Sequence, residues 1–71
     1  MLKVVENYDL SCLDKYGFKE DKYCYIISSF CGNTILAYIS VDKKTREISM
    51  YDVGYIETLY DMIRDNIVEK V

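Results

Sequence analysis

Two runs of mostly apolar residues, 23–30 and 35–41, dominate the pattern of hydrophobic and polar positions along the chain. Both runs are rich in β-branched and aromatic residues, and Gly32-Asn33 lies between them. This dipeptide is typical of a two-residue hairpin in which glycine adopts the positive φ of a type II′ turn. The pattern therefore predicts two antiparallel strands that pair outward from Phe30 and Ile35.

The turn also predicts which residues share a face, because a slip of one residue would exchange the two faces. In the predicted register Phe30 faces Ile35 and Ile26 faces Ile39. One face is then aliphatic and small: Cys24, Ile26, Ser28, Phe30, Ile35, Ala37, Ile39 and Val41. The other face receives Tyr25, Ile27, Ser29, Leu36, Tyr38 and Ser40.

A third strand is predicted over residues 48–53, after the charged turn 42–47. We expect it to pair so that Val41 meets Ile48 and Ile39 meets Met50, which continues the aliphatic face. On the opposite face the same register places Tyr38 beside Tyr51 and Leu36 beside Val53.

A short helix is predicted near the N-terminus. Leu10, Leu13 and Tyr16 follow one another at helical spacing, and Asn7 or Asp9 is suited to cap the first turn. Gly17 fits the left-handed position that ends such a helix. Residues 19–22 are expected to form a polar connection to the first strand.

The last third of the chain predicts an amphipathic helix. Asp52 is its expected N-cap, and Ile56, Leu59, Ile63 and Ile67 form a stripe at steps of three and four that Tyr60 and Met62 widen. Asn66 is suited to end the helix in the left-handed conformation. Residues 67–71 have two alternatives, a frayed tail or a short strand paired with residues 2–5.

These elements predict one domain, residues 1–71, of the α+β class. Its order is α-β-β-β-α: a short N-terminal helix, a three-stranded antiparallel β-meander, and a C-terminal amphipathic helix packed on one sheet face. The helix is expected to cover the aliphatic face, with Ile26, Ile39 and Met50 against Ile56, Leu59 and Ile63.

The composition argues against most enzymatic chemistry. The chain has no histidine, so the common nucleophile and zinc arrangements cannot form, and its three glycines are too far apart for a phosphate loop. We therefore expect no catalytic residues, no metal and no cofactor. Cys31, beside the hairpin turn, is the one candidate reactive thiol, but no cation adjoins it in sequence and cysteines more often pack than react.

The composition also bears on location and partners. Three cysteines without a CxxC pair suggest a reducing compartment, and we expect the cytoplasm of a bacterial host cell. The charged N-terminus does not resemble a signal peptide, and no apolar run reaches the roughly 20 residues of a membrane span. A net charge of −3 weighs against nucleic acid as a partner.

Tyrosine is the main compositional feature, with eight residues in 71. Four of them fall on the non-aliphatic face in the predicted register, where apolar side chains flank them. Tyrosine is enriched at interfaces, so this face is a candidate partner-binding surface. Alternatively, tyrosine is present because it forms strands well and tolerates half-exposure. The candidate residues are Tyr23, Tyr25, Ile27, Leu36, Tyr38, Tyr51 and the flanking Val53.

The predicted C-terminal helix offers a second candidate surface. Residues 47–71 hold six acids and two bases, and Glu57, Asp61 and Asp65 recur at steps of four. Such a stripe is an acidic ridge that could dock into a basic groove. The favoured interpretation is the solvated outer face, because charge runs on helices ordinarily face solvent.

Several stretches resemble small proteins encoded by phages and prophages of Gram-positive bacteria. They are Tyr16-Gly17-Phe18, the tyrosine-rich hairpin, Lys44-Thr45-Arg46-Glu47-Ile48, Leu59-Tyr60-Asp61-Met62-Ile63 and the ending Ile67-Val68-Glu69-Lys70-Val71. The resemblance implies a compact protein that binds one host component. Inhibitors of bacterial defence systems, such as anti-CRISPR proteins, belong to this class.

The sequence thus favours a non-enzymatic module that binds a host protein through the tyrosine face, the acidic helix or both. A homodimer with the tyrosine face as its interface is the alternative. A single-stranded nucleic-acid binder that uses aromatic stacking is a further, less favoured alternative.

Overall fold

The computed structural model describes all 71 residues and shows a mostly β protein with six strands in two antiparallel sheets. The strands are β1 (Leu2–Val4), β2 (Lys19–Glu20), β3 (Cys24–Cys31), β4 (Thr34–Asp42), β5 (Ile48–Tyr51) and β6 (Val68–Lys70). The larger sheet has the order β2-β3-β4-β5, and β1 pairs with β6. A 3-10 helix (Leu10–Tyr16) and one α-helix, α1 (Ile56–Arg64), complete the fold.

The α-β-β-β-α prediction is therefore wrong. The connection predicted at residues 19–22 contains β2, whose two charged residues carry no strand pattern but pair with Ile26 and Tyr25. The two ends of the chain form a second sheet, so the strand alternative for residues 67–71 is confirmed. An isolated bridge between Lys3 and Glu47 joins the edges of the two sheets. The pairings that involve the two chain ends are non-local, and no pattern within a short window can reveal them.

The hairpin turn is confirmed, with φ of 61° at Gly32. The predicted register holds for Phe30 with Ile35 but is wrong beyond it, because a β-bulge shifts the pairing next to this pair. Ile27 therefore faces Ile39, and Tyr25 faces Val41. The bulge leaves Leu36 of β4 without a partner. Beyond it, each residue of β3 faces the opposite side of the sheet from the one predicted relative to β4.

The pairing of β4 with β5 is confirmed. Val41 faces Ile48, Ile39 faces Met50, and Tyr38 faces Tyr51. The third strand is shorter than predicted and ends at Tyr51, because Asp52 adopts the left-handed conformation with φ of 62°.

The 3-10 helix begins and ends where the sequence indicates, although it is not an α-helix. The Asp9 side chain accepts a hydrogen bond from the Ser11 amide, so the Asp9 cap is confirmed. Gly17, at φ of 98°, ends the helix. Leu13 and Phe18 are both buried in the core.

Helix α1 starts later than predicted, with Tyr55 instead of Asp52 at the N-cap. Its C-terminal end is confirmed: Asn66 has φ of 63°, its amide bonds Ile63, and the Ile67 amide bonds the Met62 carbonyl. This pair of hydrogen bonds is a Schellman motif. It brings Ile67 back onto the helix, and both Met62 and Ile67 are buried.

The core lies between one face of the larger sheet and the segments that cross it. It consists of eight buried apolar side chains: Val4, Leu13, Phe18, Ile39, Val41, Leu59, Met62 and Ile67. The helix covers the sheet face that carries Ile39 and Val41, as predicted. Three members of the expected core are not in it. Ile63 is 44% exposed and Met50 is 38% exposed. Ile26 pairs with Ser40 beyond the bulge and so lies on the other face of the sheet.

Candidate protein-binding surface

The face of the larger sheet that points away from the core is the outer face, and it carries a tyrosine pair. Along β4, Ala37, Ile39 and Val41 are buried, so the alternate residues belong to the outer face. Tyr38 on β4 and Tyr51 on β5 lie directly opposite each other there. Their ring centroids are 5.9 Å apart with the planes inclined by 15°, a stacked arrangement. This part of the predicted tyrosine surface is present in the structure.

Two aliphatic residues extend the tyrosine pair toward the end of the sheet. Leu36 is 49% exposed and Val53 is 67% exposed. The chain then turns to the core face, since a Cβ atom on Gly54 would lie 2.7 Å from that of the buried Ala37. We call Leu36, Tyr38, Tyr51 and Val53 the outer apolar patch.

Two predicted members of the surface lie on the opposite face. Tyr25 and Ile27 pair with the buried residues Val41 and Ile39, and both pack against the core. The β-bulge is the cause, because it turns the side chains of β3 over relative to the predicted register. Ser29 is turned inward as well, and its hydroxyl bonds that of Tyr55 at the start of α1.

Tyr23 lies apart from the outer apolar patch. It precedes β3 in a bend, is 71% exposed, and has the Lys22 ammonium 5.4 Å from its ring centroid. Of the predicted residues, the structure therefore brings Tyr38 and Tyr51 into contact, while Leu36 and the flanking Val53 are exposed two positions from them in the chain. The predicted pair of Leu36 with Val53 is not formed, because β5 ends at Tyr51.

A groove on the other side of the molecule was not predicted. It has a volume of about 530 Å³, and its lining includes Tyr25 and the charged residues Glu6, Asp9, Glu20, Lys43 and Arg46. The Lys43 ammonium lies 2.6 Å from the Glu20 carboxylate and 5.5 Å from the Tyr25 ring centroid. The charges in the groove are therefore largely engaged with one another.

Arg46 closes one end of this groove. Its guanidinium donates hydrogen bonds to the carbonyl oxygens of Val5 at 2.7 Å and Tyr8 at 2.8 Å. Arg46 belongs to the turn between β4 and β5, where Asp42 accepts hydrogen bonds from the amides of Lys44 and Thr45. These amides lower the pKa of the Asp42 carboxyl. An aspartate that opens a polar turn is a sequence signal for such a structure, but nothing local reveals the reach of Arg46 to residues 5–8.

The acidic stripe of α1 is largely engaged within the protein. Asp61 pairs with Arg64 at 3.0 Å. Asp65, at the C-cap, accepts a hydrogen bond from the Tyr16 hydroxyl and lies 4.0 Å from the Lys15 ammonium. Only Glu57, in the first turn, makes no such contact, so the three carboxylates do not form one free ridge.

Replacing Tyr16 by phenylalanine should lower the free energy of unfolding by about 1–2 kcal/mol at neutral pH, the cost of a hydrogen bond to a charged group. Burial and the bond to Asp65 raise the pKa of Tyr16 above its ordinary value. The folded state therefore favours the protonated phenol, and this stabilisation is complete below about pH 10 and falls as the pH rises further. Urea unfolding of the wild type should show that loss, and Y16F should show a smaller one.

The matched control for this prediction is Tyr60→Phe, because the Tyr60 side chain is 56% exposed and makes no hydrogen bond. Y60F should unfold like the wild type both at neutral pH and above about pH 10. An alkaline loss of stability that is identical in Y16F and the wild type would contradict the assignment.

The remaining titratable groups show no nucleophilic arrangement. All three cysteines are free thiols, and burial raises the pKa of Cys24, which disfavours its thiolate. Cys31, beside the hairpin turn, is exposed. No group of three cysteine, aspartate or glutamate side chains is arranged to hold a metal ion.

Neither of the two helices has the length and apolar content needed to cross a bilayer.

Comparison with known proteins finds no relative of this chain. No family of known proteins, no curated protein and no solved structure matches the chain.

Proposed function

We propose that this protein is a non-enzymatic binding module that attaches to a host protein through the outer apolar patch. The observation that carries the proposal is the stacked pair Tyr38 and Tyr51 on two paired strands, with the exposed aliphatic residues Leu36 and Val53 near them in the chain. Stacking holds the two rings in place, so little conformational entropy is lost when a partner covers them. Aromatic anchors of this kind are where interfaces concentrate their binding energy.

The structure favours the sheet over the helix as the contact surface. A partner that docked on α1 would have to compete with Arg64 for Asp61 and with Tyr16 for Asp65. The outer apolar patch, by contrast, has no partner within the chain on its exposed side. Its apolar centre and the nearby Asp52 suit a protein surface that is apolar with a basic rim.

A protein partner also fits the charge of the molecule better than a nucleic acid. Base stacking on Tyr38 and Tyr51 would need phosphate-binding cations around the rings, and the net charge is −3. The resemblance to phage proteins supports a host protein in the bacterial cytoplasm as the target, with components of defence systems among the candidates. Three free cysteines are compatible with that reducing compartment.

Replacing Tyr38 or Tyr51 by alanine should weaken binding to the host partner by at least about tenfold, because each change removes a central aromatic anchor. The test is affinity capture from a lysate of Gram-positive bacteria, quantified by mass spectrometry, with wild type and variants immobilised side by side. We expect one host protein that the wild type retains and that both variants lose. Titration calorimetry with that purified protein then measures the change in affinity.

Two controls make the test specific. Tyr60→Ala removes an exposed tyrosine from α1 and should leave binding unchanged. Asp61→Lys reverses a helix charge and should also leave it unchanged. A partner that is lost with D61K and kept with Y38A and Y51A would transfer the binding site from the sheet to the helix. Circular dichroism of each variant shows that the fold is retained.

A further inference from the structure

One edge of the larger sheet is uncovered over five residues. β2 pairs with β3 only at Ile26 and Tyr25, so β3 has no neighbour on that side from Ile27 to Cys31. This segment reads Ile-Ile-Ser-Ser-Phe-Cys when Ile26 is included, with no charged residue and no proline. Natural sheets normally protect an open edge with charges, proline or a very short strand. β2 is protected in this way, because it consists of only two residues, Lys19 and Glu20, and both are charged. The open part of β3 has neither charge nor proline.

The hydrogen-bonding pattern shows which backbone groups of β3 are free. In an antiparallel pair, alternate residues direct their N–H and C=O to the same neighbour. Asp42 directs its N–H to Glu47, away from β3. Its partner Cys24 accordingly directs its carbonyl away from β4, where it accepts from the Asp21 amide at 2.7 Å.

The same alternation applies to the rest of the strand, because the bulge inserts its extra residue in β4 and leaves β3 regular. Ile26, Ser28 and Phe30 therefore also direct their backbone groups to the open edge. Ile26 is covered by Lys19 of β2. Ser28 and Phe30 remain, each with one N–H and one C=O that no strand of this chain can reach.

From these free groups we infer that β3 pairs with β3 of a second copy of this chain, antiparallel about a two-fold axis at Ser29. Ser28 of each copy then lies opposite Phe30 of the other. This is the register in which all eight free groups of the two copies, two N–H and two C=O from each, are satisfied by four hydrogen bonds. An isologous contact of this kind requires a self-complementary segment, and the segment from Ile27 to Cys31 is one.

The two ends of the segment fit this register. The second copy's Cys31 lies opposite Ile27. The next residue of β3, Ile26, is already paired with Lys19 of β2, so the second copy's strand ends where β2 begins. Gly32 then turns the second copy's chain away, and no atom lies within 4 Å of the place a Gly32 Cβ would take. An indentation of about 200 Å³ beside Gly17, Lys19 and Ser28 leaves room for that turn.

Charge favours self-pairing at this edge over self-pairing at β5, the other edge of the sheet. Self-pairing of β5 would set Glu47 of one copy against Asp52 of the other, and like charges opposite each other are destabilising. β5 is also partly covered by β1 through the bridge between Lys3 and Glu47. Pairing through β3 opposes no charges and covers Phe30, which is 60% exposed in the single chain. It would also join the two outer faces into one surface six strands across, with the order β5-β4-β3-β3-β4-β5.

Sedimentation equilibrium across a dilution series tests the inference on the unmodified chain. We expect the mass to rise from 8.4 kDa to twice that value between about 1 μM and about 1 mM. Over the same range, hydrogen exchange followed by NMR should slow by about tenfold at the amides of Ser28 and Phe30. A mass of 8.4 kDa throughout, or a dimer whose Ser28 and Phe30 amides exchange freely, would overturn the inference.

Ser28→Pro removes the free N–H without removing a bond to β4, and the variant should stay monomeric. Its matched control is Met50→Pro, which places proline on the opposite edge and should still dimerise. Tyr51→Ala should dimerise as well, whereas loss of the dimer in Y51A would indicate that the outer face is the interface. If S28P does not fold, the exchange rates of the unmodified chain decide. A monomer that still binds its host protein would refute the dimer and leave the proposed function standing.

Discussion

Replacing Arg46 by alanine should lower the free energy of unfolding by about 3 kcal/mol, because two hydrogen bonds from a charged donor are lost together. The guanidinium bonds the carbonyls of Val5 and Tyr8, and the Arg46 side chain is only 19% exposed. Without it, the Tyr8 carbonyl loses its side-chain donor and the Val5 carbonyl keeps only the Tyr8 amide. The segment before the 3-10 helix is then attached to the β4–β5 turn only by backbone contacts, such as the hydrogen bond from the Val4 amide to the Arg46 carbonyl. A 71-residue domain has roughly 4–10 kcal/mol in total, so the loss is a large fraction of its stability.

The backbone at Arg46 allows a sharper version of this test. Its φ of 66° lies in the left-handed region, which alanine disfavours and glycine accepts. Arg46→Gly should therefore retain about 1 kcal/mol more stability than Arg46→Ala, although both lack the guanidinium. The matched control is Arg64→Ala, because Arg64 is 74% exposed and makes only a surface ion pair, with an expected effect within about 0.5 kcal/mol.

Urea denaturation of the four proteins measures these differences directly. Hydrogen exchange at residues 5–8 should accelerate in both Arg46 variants and stay unchanged in R64A. An R46A protein as stable as R64A would show that the contacts of Arg46 with the N-terminal segment do not hold the fold together.

Replacing Met62 by alanine should cost about 3 kcal/mol, because Met62 is fully buried in the core. The neighbouring Ile63→Ala should cost less than about 1 kcal/mol, since the Ile63 side chain is 44% exposed. The two side chains are adjacent and comparable in size, so each variant is the other's control. The apolar stripe read from the sequence predicts the opposite order, with Ile63 in the core.

The physical reason for the difference is which face of the helix is buried. The stripe read from the sequence, Ile56, Leu59, Ile63 and Ile67, included Ile67 although that residue follows the predicted end of the helix at Asn66. In the structure α1 ends at Arg64, and the left-handed Asn66 returns Ile67 to the core from outside the helix. The helix then faces the sheet through Leu59 and Met62. Thermal or urea unfolding of M62A and I63A distinguishes the two arrangements, and equal losses would refute the one described here.

The β-bulge had the largest effect on the candidate surface. Gly32-Asn33 correctly indicated the turn and the pair of Phe30 with Ile35, because a two-residue loop restricts the local geometry. The extra residue Leu36 then moved Tyr25 and Ile27 to the core face. No feature of the sequence marks Leu36 as unpaired, since Ile35, Leu36 and Ala37 are all suited to a strand. The bulge decides which residues of β3 share the core face with Ala37, Ile39 and Val41: Tyr25 and Ile27 take the places predicted for Cys24 and Ile26.

The fold as a whole shows the same division. Local chemistry determined the Asp9 cap, the left-handed Gly17, Gly32 and Asn66, and the pairing of β4 with β5, because each depends on neighbouring residues or one short connection. The tertiary structure alone decided the sheet formed by the two chain ends, the face of α1 that is buried, and the reach of Arg46. These depend on contacts between distant segments, whose benefit appears only once the chain has paid the entropy of closing long loops. The absence of histidine and the pairing of Tyr38 with Tyr51 could be read from the sequence, whereas the transfer of Tyr25 and Ile27 to the core face is a property of the folded sheet.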